Sequence, residues 1–220
     1  MQELLDLQKE CLARIQSHKT CGDSCRNNNY CHSNGTQNCN CLCCLNHIQR
    51  SHAPKFHYSC EWITYYYVLR FGNRFASEIT YFLNQFNFAN ISKLNVVSLG
   101  CGPASELYGF IKSTTLRNFN VHLHFEGYDT NDIWGTTQNI TKSILTKYGH
   151  NINFYPKNLF TEYEDCFNGE PIILVLNYVL SDVVKYHEKT EREEFISQLV
   201  SFIMHNNVSH VLFNDINYYG

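Results

Sequence analysis

From residue 95 onward, short apolar runs of strand length alternate with stretches of helical periodicity, and that alternation dictates a largely parallel sheet covered by helices. The strand-length runs are 95–99, 121–128, 152–156, 171–177 and 210–214; the helical stretches are 104–117, 132–148 and 190–206. Parallel neighbours need a crossover of a dozen residues or so, which these helical stretches supply. The expected fold class is therefore α/β, with an open, mostly parallel sheet of about five strands.

Two further helices are expected ahead of the sheet. Leu4, Leu5, Cys11, Leu12 and Ile15 recur at helical spacing over residues 2–18. Trp62, Tyr66, Leu69, Phe75, Ile79, Phe82 and Phe86 form an apolar stripe that runs to about residue 88, after Ser59 as a plausible N-cap. The stretch between these helices has a different composition. Nine of the eleven cysteines lie between Cys11 and Cys60, and only Cys101 and Cys166 follow. From Cys21 to His57 the chain is rich in Asn, Ser, Gly, Cys and His without a periodic apolar pattern, so it lacks the means to bury a core.

Thiolates and imidazoles at short spacing are the donor set of tetrahedral zinc, and metal binding contributes folding free energy on the order of 10 kcal/mol. The candidate ligands are Cys21, Cys25, Cys31, Cys39, Cys41, Cys44, His47, His52 and Cys60, enough for one or two ions. No standard finger spacing fits. An iron–sulfur cluster, or cysteines that are structural or disulfide-bonded, are the other readings of the same residues. His122, His124 and Glu126 alternate onto one face of a strand at a spacing that suits a metal, and read instead as polar residues on a strand flank. The expected organisation is an N-terminal helix with a zinc-binding module over 1–60, a linking helix over 61–94 and the α/β domain over 95–220.

A formal net charge of −3 gives no global attraction for nucleic acid, so any such contact would need a local basic patch. The N-terminus carries acids before its first Lys and no apolar signal core, and no run of about 18 apolar residues exists to span a bilayer. The expected location is cytoplasmic, without a membrane partner.

The chemistry concentrates at the first strand of the sheet. Asn95-Val96-Val97-Ser98-Leu99 runs directly into Gly100-Cys101-Gly102-Pro103-Ala104-Ser105-Glu106 and a helix. Glycines let the backbone approach a ligand, and the free N–H groups of the helix start face whatever binds there. The next strand ends Phe125-Glu126-Gly127-Tyr128-Asp129, placing an acid where a ribose diol is hydrogen-bonded. A nicotinamide-binding unit fits less well, because Ser105 stands where its third glycine belongs and the spacing to the acid is not compact.

Leu99-Gly100-Cys101-Gly102-Pro103 followed by Gly127-Tyr128-Asp129 resembles motif I and the acidic post-I motif of class I S-adenosylmethionine-dependent methyltransferases. The resemblance implies a Rossmann-like sheet, S-adenosylmethionine as cofactor and methyl transfer as the activity. It assigns the cofactor to Leu99, Gly100, Cys101, Gly102, Pro103 and Asp129, with Asn158 and Leu159 at the adenine and Asn177 at the end of the fourth strand. Asn158 departs from the Asp usual in the family. Asn177, Tyr178 and Asp182 are then the residues on the acceptor side, where Tyr178 or Asp182 orients or deprotonates the acceptor. The plainer reading is that Tyr178 packs and Asp182 caps a helix.

The sequence Asn177-Tyr178-Val179-Leu180 lacks the Asn/Asp-Pro-Pro-Tyr/Phe motif of exocyclic-amine enzymes, and no Pro-Cys follows the fourth strand as in C5-pyrimidine enzymes. The expected acceptor is a macromolecule, RNA or protein, selected with help from the zinc module. The other functional class is a non-catalytic S-adenosylmethionine-binding or zinc-dependent interaction module. Complete class I domains have seven strands and this chain supplies five, so the open sheet edge is expected to meet either a further segment of a longer protein or another subunit.

Overall fold

The computed structural model describes residues 2–17, 45, 58, 60–87, 91–116 and 121–215. Its elements are α1 (Gln2–Ser17), α2 (Glu61–Leu83), β1 (Lys93–Leu99), α3 (Ser105–Leu116), β2 (His122–Tyr128), a 3-10 turn (Asp132–Trp134), α4 (Gly135–Thr146), β3 (Asn151–Tyr155), the single turn α5 (Leu159–Glu162), β4 (Ile172–Asn177), α6 (Leu180–Tyr186), α7 (Lys189–His205) and β5 (Val208–Asn214). Each expected strand and helix is present. The two short helices α5 and α6 have too few residues to leave a periodic signal.

The strand order is β3-β2-β1-β4-β5 and every pairing is parallel. This is the Rossmann-like arrangement expected from the sequence. Strands buried on both faces read as continuous apolar runs, as Ile172–Leu176 does. Its residues divide by alternation. Ile173 and Val175 join Val96, Phe125 and the apolar sides of α1, α2 and α3, while Ile172, Leu174 and Leu176 join Val97, Phe167 and Phe202 of α7 on the opposite face.

The first of these faces is also where α1 sits. Leu4, Leu7 and Cys11 share a core with Tyr65, Val68 and Ile79 of α2 and with the sheet itself. The core therefore extends across the boundary expected at residue 60, because the apolar stripe of α1 is buried against α2. Crossing of α2 and α3 is close. A Cβ at Gly109 would lie 2.7 Å from the carbonyl oxygen of Ala76, so only glycine permits this approach. Among the described residues no helix is long and apolar enough to cross a membrane. On the outer side of β5 no described strand pairs, and Val211 and Phe213 are about half exposed there.

Candidate functional site

The order of strands reverses between β1 and β4, and open parallel sheets bind ligands in the crevice outside that point. Here the crevice is a cavity of about 380 Å³, a size within the range of small-molecule sites. Its floor is the turn after β1. Gly100 and Gly102 have φ of +60° and +50°, in the left-handed region that favours glycine. A Cβ on Gly100 would stand 3.0 Å from the Val179 side chain across the crevice.

Asp129 anchors that turn from the end of β2. Its carboxylate accepts hydrogen bonds from the Gly102 N–H at 2.8 Å and the Asn131 N–H at 2.9 Å. Burial pushes its carboxyl above the usual carboxylate range, and these two donors oppose the shift. Gln138 donates to the Gly102 carbonyl at 2.8 Å, and Cys101 N–H donates to the Tyr128 carbonyl at 3.2 Å. The loop is thus fixed before any ligand arrives.

A second acid lies beneath the first. Glu106, in the opening turn of α3, is 2% exposed and lines the cavity. Its Oε1 accepts from the Ser98 hydroxyl at 2.6 Å. Desolvation raises its carboxyl from 4.5 to about 7, with Ser98 pulling the other way. Glu106 is a cavity residue to which the sequence alone assigned no role. An acid one residue into a helix that follows a glycine turn was the available signal.

The opposite wall is aromatic. Tyr58, Tyr67, Phe71, Phe75 and Trp134 line it, with ring centroids of Tyr67 and Trp134 5.2 Å apart and those of Phe71 and Phe75 5.7 Å apart. Sequence reasoning missed Tyr67 and Phe71. They lie four residues apart on α2 and face the crevice, beside the stripe that faces the core.

The fourth strand delivers Asn177, Tyr178 and Asp182 to the cavity, together with His187. Asn177 Oδ1 accepts from Asn214 Nδ2 at 2.9 Å. Tyr178 has φ of +62°, which a bulky side chain rarely adopts, and its neighbours hold it there. Its hydroxyl accepts from Arg74 at 2.9 Å and donates to the Glu78 carboxylate at 3.0 Å, and its ring lies 4.6 Å from Phe75. Glu78 also accepts from Asn214 Nδ2 at 2.8 Å. Tyr178 therefore joins the β4 end to α2. Burial and the adjacent Glu78 raise its phenol above the ordinary value, against Arg74.

Leu99, Asn158 and Leu159 are not among the residues lining the cavity. The Asn158 side chain caps α5 by accepting from the Phe160 N–H at 2.9 Å, and Leu159 is fully buried with Phe167. Of the expected zinc ligands, Cys60 precedes α2 and packs beside Leu45 and Ile63. Cys21, Cys25, Cys31, Cys39, Cys41, Cys44, His47 and His52 lie outside the described residues.

No protein-family profile matches the chain, and no curated protein sequence matches it. Solved structures do. A Listeria monocytogenes protein described as a class I S-adenosylmethionine-dependent methyltransferase is 11% identical, with a TM-score of 0.43, over 80% of this chain and 58% of that one. Magnesium protoporphyrin IX methyltransferase from Synechocystis, solved with S-adenosylmethionine bound, is 17% identical, with a TM-score of 0.39, over 84% of this chain and 74% of that one. The plantazolicin methyltransferase, in complex with S-adenosylhomocysteine, is 12% identical, with a TM-score of 0.33, over 71% and 75%. The chain thus spans little more than half the length of the Listeria protein.

Glu106 generates a pH dependence of stability whose sign is fixed. Its carboxyl titrates at about 7 in the folded protein against 4.5 unfolded, so the folded state retains the proton between those values. Stability is fully present below 4.5 and falls as pH rises towards 7. Urea denaturation of the parent and of Glu106→Gln at pH 5 and pH 8 should show the variant gaining on the order of 3 kcal/mol relative to the parent over that interval. Parallel pH profiles would contradict the buried, ionising Glu106.

Proposed function

We propose that the chain binds S-adenosylmethionine in the crevice between β1 and β4 and transfers its methyl group to a macromolecular acceptor, RNA or protein. The observation that carries this reading is the pairing of the Gly100–Gly102 turn with Asp129, joined by a hydrogen bond at the point where strand order reverses. Gly100 and Gly102, both in the left-handed region, bring no side chain to the turn where an amino-acid group and a ribose would lie against it. Asp129, at the rim of the crevice, would accept from a ribose diol. Asp129 together with the aromatic wall suits a cationic, partly aromatic ligand.

S-adenosylmethionine supplies an activated methyl group for in-line displacement. The residues here would hold it, exclude water and align the acceptor, which is where proximity and orientation give rate. Asn177, Tyr178 and Asp182 line the crevice and are proposed to face the acceptor. One observation favours the second, non-catalytic reading: the Tyr178 hydroxyl is engaged by Arg74 and Glu78. The Cys/His-rich stretch from Cys21 to Cys60 is proposed to hold one or two zinc ions and to help select the acceptor. The outer edge of β5 is proposed to pair with another subunit or a further segment of chain. The protein is proposed to work in the cytoplasm.

Calorimetric titration with S-adenosylmethionine and its demethylated product tests the cofactor reading, and Asp129→Ala should weaken binding by about 1–3 kcal/mol. Unchanged affinity in that variant would give the acid another task. Replacing Gly102 with Leu should abolish binding and transfer together. Tyr178→Phe and Asp182→Asn should hold cofactor affinity within about 1 kcal/mol while lowering radiolabel transfer to total RNA or protein at least tenfold. Parental transfer in both would move the acceptor chemistry elsewhere, and cofactor binding without any transfer would favour the sensing module.

Elemental analysis of tag-free, reductant-treated protein should find zinc that falls by one or two ions per chain when Cys41 and Cys44 are both replaced by Ser. A metal-free chain would leave those cysteines structural.

A further inference from the structure

The β2 face turned away from the crevice carries a cluster that the proposed methyl transfer does not use. Glu126 is 1% exposed, and among the described residues no Lys or Arg forms an ion pair with it. Its Oε1 accepts from the Tyr155 hydroxyl at 3.2 Å and from the Cys166 thiol, and its Oε2 accepts from the Tyr128 hydroxyl at 3.4 Å. Neutral donors solvate a buried carboxylate without balancing its charge, so the site favours a cation. The ligand atoms of His124, Glu126 and Cys166 all lie within 4.8 Å of one another.

We propose that His124, Glu126 and Cys166 form a binding site for a zinc-class transition-metal ion, separate from the cysteine-rich stretch and from the crevice. A tetrahedral ion with bonds of about 2.0–2.3 Å sets its ligand atoms about 3.4–3.7 Å apart, within reach of side-chain adjustment from the present spacing. One imidazole, one carboxylate and one thiolate form a borderline-soft set, which suits zinc over calcium or magnesium. Water completes the fourth position.

Two features hold the ligands ready. The Cys166 backbone belongs to a turn closed by Asp165, whose carboxylate accepts from the N–H groups of Phe167 at 2.9 Å and Gly169 at 2.8 Å. The Phe167 ring, 1% exposed, lies 4.7 Å from the His124 ring and supports it. Tyr155 and Tyr128 then orient Glu126 as outer hydrogen-bond donors. Cys166 is exposed, which gives an ion a route in. A bound ion takes the place of the thiol proton that Cys166 now donates to Glu126, and that proton is released to solvent. None of the three ligands lines the crevice, so the ion's task is to fasten the crossover between β3 and β4 onto β2.

The test uses the full chain equilibrated with zinc chloride under a phosphine reductant and then desalted. Zinc content should fall by one ion per chain in both Cys166→Ser and His124→Ala relative to the parent. Crystals of the zinc-loaded parent should show an anomalous difference peak at the zinc edge among His124, Glu126 and Cys166, distinct from any peak in the cysteine-rich stretch. Equal zinc content in the parent and both variants, or a parent map with no peak at this triad, would overturn the proposal.

Discussion

The reversal of strand order between β1 and β4 is the constraint on which the rest of this structure depends. The chain leaves β1 toward one face of the sheet and leaves β4 toward the other, so their carboxyl ends part and open a crevice. The residues proposed to hold the cofactor and face the acceptor then fall on its rim. The glycine turn follows β1, Asp129 follows β2, and Asn177 and Tyr178 follow or close β4. Two hydrogen bonds, from the Gly102 N–H to Asp129 and from the Cys101 N–H to the Tyr128 carbonyl, join two of these ends and fix the turn.

Burying acids around a crevice is costly, and the fold offsets that cost in different ways at neighbouring positions. Asp129 takes two backbone N–H donors, whereas Glu106 takes one hydroxyl from Ser98 and retains its proton to about pH 7. Both face an aromatic wall supplied largely by α2, a helix that precedes the sheet in sequence. Tyr178 links that helix to the fourth strand through Arg74 and Glu78, in a backbone conformation that needs such support. The helix ahead of the sheet is therefore part of the site.

Much of the fold was legible because its signals are local. Ile172–Leu176 reads as a buried strand from its run of aliphatic residues, and Leu99-Gly100-Cys101-Gly102 reads as a strand entering a tight turn from its glycines alone. Long-range partners were not legible. Nothing in the sequence around Tyr178 announces that Arg74 and Glu78, some hundred residues earlier, will take its hydroxyl. Nor does Cys166 declare that the β3–β4 crossover returns it to Glu126. Tyr67 and Phe71 were hidden for a related reason: on an amphipathic helix the core stripe dominates the pattern, and a second apolar side facing a crevice looks like its margin.

Under the proposed function, the Gly102–Asp129 junction receives the cofactor. Amide-resolved NMR of isotope-labelled protein titrated with S-adenosylhomocysteine tests this directly, because the Gly102 N–H now donates to the carboxylate that a ribose would engage. The largest saturable shifts should fall on the amides of Gly100, Gly102 and Asn131, with little change in β5. Saturable shifts confined to other surfaces, or none at millimolar ligand, would contradict it.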